Sequence, residues 1–94
     1  MSVKIEVEEI GSGEFKVRVI EGRSETTHRV TLTPADYERI ASGKTGPAEL
    51  VRRSFEFLLE NEPKESILPR FDLTVISRYF PGYEQEIRRR LTAS

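Results

Sequence analysis

His28 is the only histidine in the chain, so acid–base chemistry carried by an imidazole would have to use this residue. A catalytic histidine needs a positioned partner, such as a serine or cysteine nucleophile, together with a pocket for the substrate. The residue spacing around His28 implies no such partner, and the local alternation places it on the apolar side of a strand, near one end. We therefore expect a partly buried structural histidine and predict no catalytic residue.

The tripeptide Gly43-Lys44-Thr45 has the residues that end a phosphate-binding loop. That motif requires a further glycine five positions before the Gly-Lys pair, where this chain has Glu38. It also follows a strand, whereas the segment before Gly43 has the pattern of a helix. The tripeptide is better explained as a turn between two helices, with Thr45 as the cap of the second.

Metal and cofactor sites find little support in the composition. The chain has no cysteine, which excludes disulfides and thiolate ligands. Several acidic residues near the N-terminus are better explained as the solvated face and turn of a hairpin than as metal ligands: Glu6, Glu8, Glu9 and Glu14. No metal and no cofactor is predicted.

Arginine residues are numerous in the second half of the chain and allow two interpretations. They could gather into a phosphate-binding patch, formed by Arg52, Arg53, Arg70, Arg78 and Arg88–Arg90. Alternatively, they pair with glutamates four residues away on their own helices, as Glu84 with Arg88, Glu86 with Arg90 and Arg52 with Glu56. The net charge of −1 favours the ion pairs.

Three aromatic residues, Tyr79, Phe80 and Tyr83, surround the Pro81-Gly82 break between two helical segments. One interpretation is that they close the core at that end of the domain. The other is that some of them form a surface for a protein partner, since exposed aromatic side chains anchor interfaces.

The length and composition indicate one domain over residues 1–94, because 36% apolar and 33% charged side chains are typical of a soluble globule. A domain of this size buries only about 60 to 65% of its unfolded surface, so oligomerisation would add stability. Charged residues alternate along the N-terminus, which is unlike a signal peptide or a membrane span. We expect a cytoplasmic protein that does not bind membranes.

Two strands with a tight turn are predicted over residues 3–10 and 15–20, where apolar and charged side chains alternate. Gly11-Ser12-Gly13 supplies the turn. If Ile10 faces Glu14, opposite charges and apolar side chains fall opposite each other, as cross-strand pairing favours: Glu8 with Lys16, Glu6 with Arg18, Val7 with Val17 and Ile5 with Val19.

A third strand over residues 27–33 follows a turn at residues 21–24, and the hydrophobic period then changes from two to about 3.6 residues at Pro34. Thr33 is the expected cap of a first helix that ends at Ser42-Gly43, and Pro47 begins a main helix over residues 47–61. After Pro63 we expect an apolar segment, a short helix capped by Asp72 and a last helix with its stripe at Tyr83, Ile87 and Leu91. The predicted fold class is α+β, a three-stranded antiparallel meander with three or four helices packed on one face, in the order βββαααα.

Within residues 27–62, a short strand Arg29–Thr33 leads into a helix that begins Pro34-Ala35-Asp36-Tyr37, a Gly43-Lys44-Thr45 connector and a second helix containing Glu49–Arg53. This segment resembles the ribbon-helix-helix family of bacterial DNA-binding regulators and antitoxins. In that family the strand pairs with its twin in a dimer and its outward side chains enter the major groove. The resemblance implies that Arg29, Thr31 and Thr33 read bases and that the start of the second helix, around Thr45, holds a phosphate. The first two strands would occupy one edge of the third and leave its other edge free for the twin.

Without a catalytic constellation, the sequence favours a non-enzymatic binding or assembly module with an unknown protein partner, which could be a second copy of the chain. Its candidate surface is Tyr79, Phe80 and Tyr83. A ribbon-helix-helix-like DNA-binding regulator or antitoxin is the first alternative, and an enzyme of unknown type is the second.

Overall fold

The sheet begins with a long hairpin, to which a third antiparallel strand and a short parallel strand are added. The computed structural model describes residues 3–93. Its strands are β1 (Val3–Gly11), β2 (Glu14–Glu21), β3 (Ser24–Thr31) and β4 (Arg70–Asp72), in the spatial order β1-β2-β3-β4. The α+β class and the antiparallel meander are confirmed, but the prediction of three strands is incomplete because β4 pairs parallel to β3.

The predicted hairpin register is confirmed except at the turn. Along the strands the four predicted pairs are present, Glu6 with Arg18, Glu8 with Lys16, Val7 with Val17 and Ile5 with Val19. At the turn, the prediction that Ile10 faces Glu14 is wrong, because Gly11 takes that place. The register shifts between Glu9 and Gly11, and such a bulge adds one residue to one strand, which leaves Ile10 without a partner.

β3 also ends earlier than predicted. Its last residue is Thr31, and the chain leaves the sheet through Leu32, whose N–H donates to the Gly13 carbonyl at 2.8 Å. Gly13 has a φ of 68°, and a Cβ there would lie 2.6 Å from the Leu32 oxygen. Glycine is therefore required at this crossing of two backbones.

The helices are α1 (Pro34–Ala41), α2 (Pro47–Asn61), the single-turn α3 (Ile76–Tyr79) and α4 (Tyr83–Ala93), with 3₁₀ turns at Lys64–Ser66 and Leu73–Val75. The Thr33 hydroxyl accepts a hydrogen bond from the Asp36 N–H, and the Asp72 carboxylate accepts one from the Thr74 N–H, so both predicted caps are confirmed. The predicted cap at Thr45 is wrong. Pro47 takes the first helical position, so the cap is Gly46, which has no side chain to accept a bond.

The core lies between one face of the sheet and the helices. β2 and β3 contribute Phe15, Val17, Val19 and Val30, and α2 contributes Leu50, Val51, Phe55 and Leu58. Each of these side chains is at most 4% exposed. At roughly 1.5 to 3 kcal/mol for each large apolar side chain that is fully buried, this layer is the main source of folding free energy.

β4 was not predicted, and it changes which edges of the sheet are open. Arg29, Val30 and Thr31 pair with Arg70, Phe71 and Asp72. The Arg29 N–H also donates to the Pro69 carbonyl at 2.8 Å. Over Arg29–Thr31, the expectation that β3 keeps a free edge for a twin strand is therefore wrong, because the chain fills that edge itself.

A buried hydrogen bond joins α2 to α4. The Ser54 hydroxyl donates to the Leu50 carbonyl at 2.8 Å, so its single proton is used there. The Tyr83 hydroxyl, 2.6 Å from Ser54 Oγ, must then be the donor of the second bond. Tyr83 is fully buried, and this bond satisfies its only polar group.

We predict that in Tyr83→Phe the free energy of unfolding falls less steeply with rising pH above pH 10 than it does in the wild-type protein. Burial raises the pKa of the Tyr83 phenol above its ordinary value, although the bond to Ser54 opposes the shift. The unfolded chain ionises near pH 10 while the folded chain keeps the proton, so the free energy of unfolding should fall above pH 10 by about 1.4 kcal/mol per pH unit from this group. Below pH 10 the contribution is constant, and there the substitution should cost about 1 kcal/mol for the lost bond.

Denaturant unfolding between pH 8 and pH 11 measures this slope. Tyr79→Phe is the matched control, because that side chain is 67% exposed and its loss should leave the slope of the wild-type protein unchanged. Equal alkaline slopes in the wild-type and Tyr83→Phe proteins would contradict the assignment.

Candidate functional site

An apolar cleft opens beside β4, between the end of α2 and residues 66–80. Its volume is about 260 Å³, and it is lined by Leu58, Glu62, Ser66, Ile67, Leu68, Phe71, Val75, Ile76, Tyr79 and Phe80. A cavity of about 150 Å³ accommodates benzene, whereas typical small-molecule pockets enclose about 300 to 1,000 Å³. The cleft therefore has the size to receive one or two large side chains of another molecule.

Exposed apolar surface is concentrated at this cleft. Among the described residues, four large apolar side chains are exposed: Val3 (39%), Ile10 (40%), Leu68 (43%) and Tyr79 (67%). The two most exposed of them, Leu68 and Tyr79, both line the cleft. Adjacent exposed apolar side chains around a concave surface are typical of an interaction site.

The three aromatic residues predicted as a partner surface divide between the cleft and the core. Tyr79 is exposed at the cleft, and Phe80 is half-buried in its wall, with its ring edge-on to Phe57 at 5.6 Å. Tyr83 is fully buried, so it belongs to the core and not to the surface. The structure thus supports the core interpretation for Tyr83 and leaves Tyr79 and Phe80 available to a partner.

His28 holds the rim of the cleft in place. Its Nδ1 lies 2.8 Å from the Leu68 carbonyl oxygen and its Nε2 lies 2.8 Å from the Thr26 hydroxyl. A carbonyl can only accept, so Nδ1 carries a proton, and in the neutral tautomer Nε2 accepts from the Thr26 hydroxyl. The ring packs against Phe55 at 5.4 Å and is 2% exposed, so His28 lies on the apolar side of β3, as predicted, and is more deeply buried than expected.

The cleft carries little charge. Glu62 is the one charged side chain of its lining, and it makes no ion pair with another residue in the range 3–93. An occupant with a lysine or arginine beside its apolar side chains would place a positive charge opposite this carboxylate. Apolar contact at the centre with charge complementarity at the rim is the usual composition of a protein interface.

A second feature is a row of three cations on the opposite, open face of the sheet. In the register of the strands Lys16 lies opposite Arg29, and Arg29 lies opposite Arg70. The Arg29 N–H bonds to Pro69, so Lys16 and Arg29 form a pair without mutual hydrogen bonds, the type in which side chains approach most closely. Like charges directly opposite each other are destabilising.

The row stands out because the carboxylates beside it form no short ion pairs with it. The nearest is Glu14, 3.9 Å from Arg29, and neither Lys16 nor Arg70 forms an ion pair within the described part of the chain. Most other cations have closer partners, including Arg18, Arg39, Arg52, Arg53, Lys64, Arg89 and Arg90. The row is nevertheless narrow, because Glu8 lies at one end and Asp72 beside the other.

The residues implied as nucleic-acid contacts are dispersed. Arg29 and Thr31 lie on the open face, where the Thr31 hydroxyl donates to Asp72 at 2.8 Å. The Thr33 hydroxyl caps α1 instead. Thr45 lies in the connection between α1 and α2, where its carbonyl accepts from the Tyr37 hydroxyl. Sequence reasoning missed Lys16 and named Arg70 only as a member of the possible arginine patch; the register is what places both beside Arg29.

The arginines of α4 do not add to this row. The predicted pairs of Glu84 with Arg88 (3.6 Å) and Glu86 with Arg90 (2.8 Å) are confirmed, as is that of Arg52 with Glu56 (2.8 Å). Hydrogen bonds from Arg89 and Arg90 lower the pKa of the Glu86 carboxyl to about 2. These arginines are engaged in ion pairs on the helical side of the molecule.

Comparison of the chain with protein-family models, with curated proteins and with solved structures gives no match in any of the three. Between residues 3 and 93, no helix has the length and apolar character needed to cross a membrane. The same residues contain no group of three His, Asp or Glu side chains placed to hold a metal ion.

We predict that Arg70→Gln stabilises the protein at low ionic strength. The substitution removes one of three adjacent positive charges and keeps a side chain of similar length, so it should raise the free energy of unfolding by about 0.2 to 1 kcal/mol. The gain should disappear in about 1 M salt, where the Debye length is only about 3 Å and the repulsion is screened. Arg23→Gln, in the turn after β2, is the control and should change stability by less than about 0.5 kcal/mol. A loss of stability in Arg70→Gln at low salt would contradict this prediction, because it would show that neighbouring carboxylates already offset the repulsion between the three cations.

Proposed function

We propose that this chain is a non-enzymatic binding module whose protein partner docks in the cleft beside β4. The observation that carries the proposal is the clustering of Leu68 and Tyr79, the two most exposed large apolar side chains of the described residues, around a cleft of about 260 Å³. Burying such side chains stabilises a complex by roughly 25 cal/mol per Å² of apolar surface, before the cost of association.

The chemistry of the cleft also indicates the chemistry of the partner. Its apolar lining suits one or two large aliphatic or aromatic side chains, and Glu62 suits a neighbouring lysine or arginine. A cleft of this size is the centre of an interface rather than the whole of it, since standard interfaces bury about 800 Å² on each partner. Tyr79 and Phe80 are the expected anchors, because aromatic side chains dominate the energetics of interface centres.

Binding is favoured over catalysis by the polar groups present. Two side chains that line the cleft carry a hydroxyl, Ser66 and Tyr79, and neither hydroxyl is hydrogen-bonded to a side chain of another described residue, as an activated nucleophile would be. His28 has both ring nitrogens engaged within the fold. Glu62 is a carboxylate at the cleft, but within the described residues it is hydrogen-bonded to neither Ser66 nor Tyr79, so it does not form the nucleophile–base pair of a hydrolytic enzyme.

Nucleic-acid binding by the open sheet face is our second candidate, favoured by the row of Lys16, Arg29 and Arg70. Three cations could contact phosphates of a polyanion, with Thr31 beside them. Such a complex would weaken steeply with salt, by a logarithmic slope of about 0.7 to 0.9 per phosphate contacted. The flanking Glu8, Glu14 and Asp72 limit the contact to a short stretch, so we rank this function second.

Capture of partners from lysate separates the two candidates and tests the cleft. We expect a protein retained at both low and high salt, insensitive to nuclease, and lost with Leu68→Asp, because a buried carboxylate without a partner is costly. Ile10→Asp is the matched control: Ile10 is 40% exposed, close to the 43% of Leu68, but lies on β1 away from the cleft. It should leave capture unchanged.

Two other outcomes would decide against the cleft. Equal loss of capture in Leu68→Asp and Ile10→Asp would show that the effect is not local. Recovery of nucleic acid that is abolished by nuclease, by high salt and by Arg29→Ala would instead favour the second candidate. The unfolding midpoint of each variant, measured in parallel, shows whether a loss reflects folding rather than contact.

A further inference from the structure

β1 lies at one edge of the sheet, and within residues 3–93 no strand pairs with its outer side. The Arg29 N–H points toward β4, and along a strand the backbone N–H and C=O groups of successive residues point to opposite sides. The backbone groups of His28 and Val30 therefore point toward β2, where they bond to those of Val17 and Phe15. The intervening residues of β2 then bond to β1, which uses the backbone groups of Lys4, Glu6 and Glu8. The N–H and C=O groups of Val3, Ile5 and Val7 therefore face away from the sheet.

A second copy of the chain could pair with this edge in an antiparallel, two-fold arrangement, in which residue i meets residue j and j meets i. Residues that lie opposite each other must have their side chains on the same face of the sheet. One strand can therefore slide past the other only by two residues at a time. The charges on β1 then distinguish the registers.

One register pairs every residue from Val3 to Val7 favourably. When Ile5 lies opposite Ile5 of the second copy, Val3 lies opposite Val7 and Lys4 lies opposite Glu6. The two-fold symmetry makes each of these two pairs occur twice. Val3, which is 39% exposed, would be covered by an apolar neighbour. The Lys4 and Glu6 side chains would lie in pairs without mutual hydrogen bonds, the closer type of cross-strand pair.

The neighbouring registers each oppose like charges. Moving the pairing by one step in one direction places Glu6 opposite its own copy and Val3 opposite Glu9, although Lys4 then meets Glu8 twice, and a further step places Glu6 opposite Glu8 twice. A step in the other direction places Lys4 opposite its own copy. Of these four registers, the one centred on Ile5 alone opposes no like charges among the described residues, so the charges on the edge favour it.

We propose that two copies of the chain associate through β1, antiparallel, with Ile5 on the two-fold axis and reciprocal Lys4–Glu6 ion pairs. Two four-stranded sheets would become one continuous sheet of eight strands, with β4 at both outer edges. The two clefts beside β4 would then remain open, and the dimer would offer two docking sites to a partner. The inference does not depend on the proposed function of the cleft.

Charge-reversal complementation tests the pairing. The wild-type protein should have the mass of a dimer in sedimentation or native mass spectrometry at micromolar concentrations. Lys4→Glu alone and Glu6→Lys alone should each raise the dissociation constant by about tenfold or more, since each opposes like charges twice. An equimolar mixture of the two variants should associate again, because one variant then carries only negative charges at the two positions and the other only positive charges.

A wild-type protein that stays monomeric up to millimolar concentration would overturn the proposal, as would two dimeric single variants or a mixture that does not reassociate. Within one chain Lys4 already pairs with Glu6 at 3.1 Å, and both variants lose that pair. Lys4 is the safer position, because its side chain is 70% exposed, whereas Glu6 also pairs with Arg18 at 2.7 Å. Amide exchange of the wild-type protein gives a test that needs no variant. Ile5 and Val7 should be protected only at concentrations where the dimer forms, while Glu6 and Glu8 should be protected throughout.

Discussion

The hydrogen bond from His28 Nδ1 to the Leu68 carbonyl oxygen joins the core to the segment that carries both proposed binding surfaces, and their positions depend on it. β4 has three residues and supplies few hydrogen bonds of its own, so its position against β3 needs further support. His28 gives that support from inside the core, together with the bond from the Arg29 N–H to Pro69. The same segment contributes Leu68 and Phe71 to the cleft and Arg70 to the row of cations. One buried imidazole therefore positions surface residues on both faces of the sheet.

Local patterns in the sequence were sufficient for most of the fold. Alternation predicted the pairing of β1 with β2, and the apolar stripe with its proline start predicted α2 to the residue. β4 could not be predicted in this way, because three residues are too few to show a period and their partner lies 41 residues earlier in the chain. The bulge at Ile10 also escaped prediction, since a glycine-rich turn is compatible with more than one register. Non-local pairing, rather than weak local propensity, limited the prediction.

The candidate site was predicted less completely than the fold. The aromatic residues around Pro81 indicated its neighbourhood, but Leu68 was seen only as part of an apolar segment, and nothing in the spacing joined it to Tyr79. One feature of the sequence could have indicated that Tyr83 is buried. Ser54 places a hydroxyl on the apolar stripe of α2, and a buried hydroxyl requires a hydrogen-bond partner, which Tyr83 provides. Ion pairs with neighbouring glutamates engage the arginines of α4, whereas Lys16, Arg29 and Arg70 come together only through the register of three strands.

Amide hydrogen exchange in His28→Phe tests the central claim most directly. Phenylalanine keeps a buried aromatic ring against Phe55 but cannot bond to Leu68 or Thr26. The account predicts that exchange at the Arg29 amide, which donates to Pro69, accelerates by about tenfold, corresponding to about 1.4 kcal/mol of local stability, while the amides that join β1 to β2 keep their protection. Unchanged exchange at Arg29 in a folded His28→Phe protein would contradict the account, because β4 would then hold its place without the histidine.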